Sequence, residues 1–501
     1  MSAATPLPPE LLHFLGLRRP RSLLLRGPPG TGKTTLALAL LGAFPGQRVY
    51  ASCRTTEGEL HDQFPWLGDA EKENPSITVI DASGTVGGVR KASQAVEKAP
   101  SIVANAEESG LIGALWLPEP LMEAWSRIDP DRPALVVIDS WDALVEGYLS
   151  GSARLPDKVP DREEIERTVM GQLSRGNVTV VFVAERDRPS QLDYLVNGVV
   201  ELHIDRFEDR LERWAYLLKL RGTRILSYGY PYTLEGSRFT CITPVPGGFR
   251  ARLHTPEPDP ERGLHENSLW PGSTDFAAHF GRPPLNRVML WETDPNVPHE
   301  AIRLLFSPML SEVVQQGGRA FHLLPAGTPP EDVWMLYKPF VGAEDFQRQV
   351  RIQTPLPLRS GSAVLDSVLV PARPFPDTVA GPHNPKAHEF IREGGREGAP
   401  NLTVIWTAGL RVRGADEPAP YLPETLPGIA SAYMGGAPVV ELYIGEPGDP
   451  FLESLRPMAA TLLRLRARRG RVFLYGDHPS TPLLVLVENG NSGSYHLLPM
   501  V

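Results

Sequence analysis

The stretch that most restricts the fold of this chain lies near its start. Arg21 to Arg26 reads RSLLLR, a short run that fits a buried strand. Gly27-Pro28-Pro29-Gly30-Thr31-Gly32-Lys33-Thr34-Thr35 follows, and LALALLGAF continues as an apolar helix. This is the pattern G-x-x-x-x-G-K-[ST] in the strand–loop–helix context it requires. The glycines let backbone N–H groups curl around an anion with no Cβ in the way. The helix points its positive N-terminal end at the same place. Residues Gly27 to Thr35 are therefore expected to cradle nucleotide phosphates, with Lys33 reaching the β- and γ-phosphates. The Thr34 hydroxyl is expected to ligate Mg²⁺, and Thr35 to sit beside the α-phosphate.

A site of this kind needs a second strand that ends in an acid. Ala134 to Asp139 reads ALVVID behind Pro133 and runs into Ser140-Trp141-Asp142. Such an apolar run fits a central parallel strand buried on both faces. Asp139 is the expected partner of Thr34 at Mg²⁺, holding a metal-bound water. Strands alternate with helical patterns over residues 21–254, which predicts an α/β domain with a mostly parallel, doubly wound sheet. Residues 1–20 read as a leading helix and linker. Residues 255–272, TPEPDPERGLHENSLWPG, read as a Pro-rich, charged linker.

Charge and cysteine content exclude some classes. Lys and Arg number 50 against 59 Asp and Glu, a net charge of −9. That opposes bulk electrostatic binding to nucleic acid or an anionic membrane, though a local basic groove stays open. Two cysteines, Cys53 and Cys241, cannot build a disulfide framework and fit reduced thiols. No segment reaches the ~18 uninterrupted apolar residues of a membrane span. The N-terminus has neither the basic start nor the long apolar run of a signal peptide. A cytoplasmic, soluble protein is expected.

Later residues narrow the class. Asp193 to Val200 reads DYLVNGVV, and strands are expected over Leu202 to Arg206 and Arg213 to Leu220 around a Glu208-Asp209 turn. The second strand ends in Lys219-Leu220-Arg221-Gly222-Thr223, and Tyr230-Pro231-Tyr232-Thr233-Leu234 comes next. With the phosphate loop, these stretches resemble the KaiC/RadA-type ATPases of the RecA superfamily over about residues 10–250. The resemblance implies a RecA-like domain that binds ATP with Mg²⁺. It also implies that Lys219 and Arg221, in the K-x-R-G-T stretch, reach the γ-phosphate held by a neighbouring subunit. A homo-oligomeric ring, a hexamer among its forms, or a filament would follow. The alternative is a solvated hairpin with ordinary charges. Glu185, ending the apolar run Val178 to Ala184, resembles the family's strand-end acid near the γ-phosphate; a plain strand-end acid is the alternative. Arg186 and Arg188, at the family's DNA-contacting loop, read better as a solvated loop beside Pro189 and Ser190.

One departure concerns catalysis. Where the family has a Glu-Glu pair after a strand, Arg48 to Ser52 runs into Cys53 and then Arg54-Thr55. Arginine cannot act as a base. Glu57 is the expected replacement, with Glu59 nearby, although acids at a helix start are common for dipole reasons alone. The segment from Tyr50 to Leu67 is also similar, over a short stretch, to archaeal gas-vesicle regulatory P-loop proteins.

Residues 273–501 alternate again. Strands are expected at Arg287 to Trp291, Arg319 to Leu324, Leu402 to Trp406, Val439 to Ile444, Val472 to Tyr475 and Leu483 to Val487. Helices are expected at His299 to Gln316, Pro330 to Phe340, Glu424 to Met434 and Phe451 to Arg468. The order mirrors the first half and points to a second, degenerate RecA-like domain; an unrelated α/β domain is the alternative. At the phosphate-loop position stands Glu292-Thr293-Asp294-Pro295-Asn296-Val297-Pro298-His299. Carboxylates there repel phosphate and prolines remove N–H donors, so no nucleotide is expected in this half. His322, His383 and His388 make no metal-ligand spacing.

Three functions follow: an oligomeric, ATP-dependent switch or regulator acting with a protein partner, a DNA-dependent recombination-type ATPase, and a scaffold in which nucleotide is structural. Charge and mixed-sign loops disfavour the second.

Overall fold

A computed structural model of the chain describes residues 4–17, 19–67, 77–81, 124, 126–129, 131–152, 161–173, 177–186, 188–243, 256–261, 267–325, 327–354, 361–370, 390–391, 396, 398–410, 438–488 and 495–501. Asp187, His383, His388, residues 82–113 and the helix expected over 424–434 lie outside the described residues. The chain divides into two compact units, Ala4–Thr243 with Met500–Val501, and a second that runs from Pro244 to Pro499.

In the first unit the strands are β1 (Ala4–Thr5), β2 (Ser22–Arg26), β3 (Gln47–Ser52), β4 (Thr78–Asp81), β5 (Ala134–Asp139), β6 (Val178–Val183), β7 (Gly198–Phe207), β8 (Arg210–Leu220), β9 (Gly229–Thr233) and β10 (Thr240–Ile242). They form one sheet in the order β4-β3-β5-β6-β2-β7-β8-β9-β10-β1. The first six in that order are parallel and the rest antiparallel. Parallel strands buried on both faces need apolar residues at every position, which LLL and ALVVI supply. Leu23 and Leu25 pack on one face with Leu36 and Leu40 of the helix Lys33–Ala43. Leu24, Val136 and Ile138 pack on the other with Trp141 and Val145 of the helix Trp141–Ser152. The helix Pro9–Leu15 also enters this unit's core, through Leu11 and Phe14.

The second unit contains β11 (Arg287–Thr293), β12 (Ala320–Leu323), β13 (Val350–Gln353), β14 (Leu369–Val370), β15 (Asn401–Trp406), β16 (Val439–Gly445), β17 (Ala459–Arg468), β18 (Arg471–His478), β19 (Leu484–Glu488) and β20 (Tyr495–Pro499). Their order is β14-β13-β12-β15-β16-β11-β17-β18-β19-β20. Strands β14 through β17 of that order are parallel, and β18, β19 and β20 are antiparallel. The crossovers repeat those of the first unit, with β11 in the place of β2, β12 of β3, β15 of β5, β16 of β6 and β17 of β7. Within residues 255–272, expected as a linker, Trp270 Nε1 donates to the Glu257 carbonyl at 2.7 Å.

β13, β14 and β20 are strands where none is expected, and one expected element takes a different form. The helix expected over Phe451 to Arg468 is a helix only at Pro450–Leu455, and β17 takes Ala459–Arg468. Leu463 and Leu465 enter the core while Arg464, between them, faces away toward Asp477. That is a period of two, which a run of good helix formers such as Leu, Arg and Ala conceals.

Candidate functional site

The loop after β2 is shaped by its glycines. Gly27 has φ +147°, and a Cβ there would lie 2.2 Å from the Leu202 carbonyl oxygen. Gly32, the residue before the helix Lys33–Ala43, has φ +81°, and its Cβ would strike the Leu234 side chain. Only glycine satisfies both positions. Thr31 Oγ1 donates to the Pro28 carbonyl, and the Tyr232 hydroxyl donates to the Thr31 carbonyl. Lys33 Nζ donates to the carbonyls of Gly27 and Pro28, both at 2.8 Å. Burial pulls the Lys33 ammonium below the ordinary lysine value; the Glu185, Asp139 and Asp142 carboxylates favour its charge and Arg54 opposes it.

Thr34 and Asp139 meet as the sequence predicts. Thr34 Oγ1 donates to Asp139 Oδ2 at 2.6 Å, and the Tyr50 hydroxyl donates to the same oxygen at 2.8 Å. Burial pushes the Asp139 carboxyl above the usual range, while those two hydroxyls and the charge of Lys33 hold it down. This donor set suits Mg²⁺. It consists of a hydroxyl and a carboxylate in contact, both hard oxygens, at a carboxylate whose burial is costly unless a cation meets it. Thr34 and Asp139 would hold the ion, and its charge would offset that of the phosphates.

Arg54 does not lie idle beside this centre. Its Nη1 is 2.7 Å from Glu185 Oε1. Asp142 holds Glu185 in turn, its Oδ2 accepting from the Glu185 backbone N–H at 2.8 Å. Asp142 also pairs with Arg162 and Arg186. Sequence spacing could not reveal the Arg54–Glu185 pair, because β5 stands between β3 and β6, the strands that the two residues follow. Arg213 is a second residue that spacing missed; from β8 its Nη1 donates to the Gly30 carbonyl at 2.9 Å.

The remaining expected residues are placed elsewhere. Glu57 is exposed in the first turn of the helix Glu57–Gln63. Glu59 closes a capping box with Thr56, accepting from its backbone N–H at 2.9 Å. Among the described residues neither acid contacts Lys33, Thr34 or Asp139. Lys219 pairs with Val199 at the start of β7, whereas Arg26, just before the phosphate loop, pairs with Glu201 further along it. Lys219 and Arg221 therefore lie toward the opposite end of the sheet from their own phosphate loop. Lys219 Nζ donates to the carbonyls of Asp193 and Tyr194 at 2.9 and 3.2 Å, and Arg221 leans on the latter.

The ladders also locate the counterpart of this site in the second unit. Leu25, Val183, Asp139 and Ser52 are successive partners across the first sheet. Trp291, Ile444 and Trp406 are successive partners across the second. Trp406 thus stands where Asp139 stands, and His322 where Tyr50 stands. Glu292 matches Arg26, and the same number of residues then separates Glu292 from His299 as Arg26 from Lys33. His299 therefore takes the lysine's place. Glu292 is buried among Arg466, Arg456 and Arg464.

Residues 10–244 match the family model for the KaiC ATPase and form a P-loop domain of that family. The chain is 30% identical to Protein GvpD2 of Halobacterium salinarum over 262 residues, covering 49% of this chain and 48% of that protein. It is 28% identical to Protein GvpD1 of the same organism over 242 residues, covering 48% and 41%. It is 29% identical over 212 residues to an ATP-dependent zinc metalloprotease FtsH of Mycoplasmopsis synoviae, covering 38% and 29%. The chain thus spans less than half the length of these relatives. Among the described residues no helix is long and apolar enough to cross a membrane.

Proposed function

We propose that the first unit binds ATP with Mg²⁺ and acts as a nucleotide-dependent switch within a cytoplasmic homo-oligomer that engages a protein partner. Hydrolysis is slow until a neighbour or partner frees the acid that assists it. The observation that carries this reading is the ion pair between Arg54 and Glu185 beside Lys33 and Asp139. A carboxylate oxygen held by a guanidinium is not free to meet an attacking water, so Glu185, rather than the exposed Glu57, serves as the base once Arg54 moves away. Lys33 and the loop N–H groups hold the phosphates, Thr34 and Asp139 hold the metal, and Lys219 and Arg221 act on the nucleotide of a neighbouring subunit. Their place toward the far end of the sheet suits action in trans. The short similarity of Tyr50 to Leu67 to archaeal gas-vesicle regulatory P-loop proteins favours a regulatory role, and the net charge of −9 disfavours a DNA-driven one.

The test is phosphate release from ATP·Mg²⁺ across a range of protein concentrations, beside Lys33→Ala. Turnover per subunit that rises with concentration and vanishes in Lys33→Ala supports an interfacial site. Turnover independent of concentration, or retained in Lys33→Ala, would overturn it.

A further inference from the structure

The second unit holds a cavity of about 250 Å³ at the place that corresponds to the nucleotide site of the first. It opens at the carboxyl ends of β12 and β15, where ligands bind in open α/β sheets. Its walls are Ile302 and Phe306 from the helix His299–Gln315, Val333 from the helix Pro330–Tyr337, and the indole of Trp406. His322 forms its floor, and Arg303, paired with Asp332 at 2.6 Å, stands at its mouth.

We propose that this cavity is a binding site for a small, neutral, ring-bearing molecule with one hydrogen-bonding group. Three observations set the class. At about 250 Å³ the space lies below the ~300–1,000 Å³ of pockets that take drug-sized ligands, which leaves room for one or two fused rings. The walls are aliphatic and aromatic, and Trp406 has replaced the carboxylate that would hold a metal. His322 Nε2 is engaged by the Tyr337 hydroxyl at 2.8 Å, and among the described residues its Nδ1 has no partner. Burial pushes the His322 ring down to about 3, so it is neutral at physiological pH and offers a hydrogen bond without charge. A hydroxyl or ring N–H satisfies it. A carboxylate or ammonium would be desolvated among these apolar walls, and the charged pair that lines the cavity, Arg303 with Asp332, is already self-matched.

The test uses the full chain carrying Lys33→Ala, so that binding to the first unit does not enter. Indole and 2-naphthol are titrated by ligand-observed NMR and thermal shift, beside their carboxylate analogues indole-3-carboxylate and 2-naphthoate. The neutral probes are expected to bind in the micromolar to millimolar range, and the carboxylates at least tenfold more weakly. Ile302→Trp, which fills the space, is expected to weaken the neutral probes at least tenfold. Trp406→Ala, which removes a wall and creates no clash, serves if the first variant misfolds and is expected to weaken them likewise. No binding by either neutral probe, equal binding by the carboxylates, undiminished binding in a folded variant, or displacement by ATP would each overturn the assignment.

Discussion

Arg54→Ala removes one partner of an ion pair whose weight is bounded by its exposure. The Arg54 side chain is 54% exposed and that of Glu185 31%. Pairs this open contribute ~0.2–1 kcal/mol, so losing Arg54 changes the fraction of free Glu185 by about 1.4- to 5-fold. Single-turnover phosphate release at saturating ATP·Mg²⁺ should therefore rise by a factor in that range. The melting temperature of the first unit should fall by no more than ~4 °C, since 1 kcal/mol shifts a domain of this size by ~2–4 °C. Glu185→Gln should lower release by ~10²-fold or more, the contribution of a general base. The double variant should lie close to Glu185→Gln alone, because Arg54 acts chiefly through that carboxylate. A tenfold fall in Arg54→Ala would make Arg54 a phosphate ligand and refute the masking role. Unchanged release in Glu185→Gln would refute the base.

Lys33→Ala should lose ~10- to 100-fold in ATP affinity, measured by calorimetry, given that a charge-assisted bond to phosphate is worth ~1.5–3 kcal/mol. Gly27→Ala should destabilise the first unit by ~1–3 kcal/mol and abolish nucleotide binding, because its Cβ would collide with Leu202; a normal melt with normal binding would refute the role given to that φ. Mixing Lys33→Ala with a Lys219→Ala/Arg221→Ala variant should restore turnover that neither shows alone, since each supplies what the other lacks. His322 has a folded value near 3 against an ordinary 6.5, so the unfolded chain takes up its proton first as the pH falls. Stability it contributes is complete above pH 6.5 and declines below, by about 2 kcal/mol between pH 6.5 and 5. The difference between wild type and His322→Phe in denaturant melts should show that slope, and parallel curves would refute it.

The phosphate loop and Asp139 are legible in sequence because each signal is local: a contiguous loop between a strand and a helix, and an acid ending an apolar run. The resemblance to KaiC-type ATPases rests on similarly contiguous stretches. What escapes is set by the sheet. Arg54 and Glu185 meet across an intervening strand, and Arg213 reaches Gly30 from a strand far along the chain. No spacing rule encodes either contact. β17 was hidden because Leu, Arg and Ala favour helices, and the alternation of Leu463, Arg464 and Leu465 spans too few residues to outweigh that preference. The pairing of Trp406 with the Asp139 position emerges only when both ladders are known, since the residues around it share no motif with the first half.

The same ladder position carries opposite signs in the two units. Arg26 faces Glu201 between β2 and β7, and Glu292 faces Arg464 between β11 and β17. Two like-wound sheets made by one chain invite mispairing while it folds, a common failure of multidomain proteins. A hybrid in which β2 sat beside β17 would oppose Arg26 to Arg464, and one in which β11 sat beside β7 would oppose Glu292 to Glu201. Each leaves a buried charge unmatched, at ~3–5 kcal/mol. Replacing the first pair by apolar residues (Arg26→Met with Glu201→Leu) also takes Arg26 from Asp193, 2.8 Å away, so the melting temperature should fall, and the refolding yield of the full chain should fall further than that loss of stability accounts for. That result would give the inverted charges the part of an address label, directing each strand to its own half.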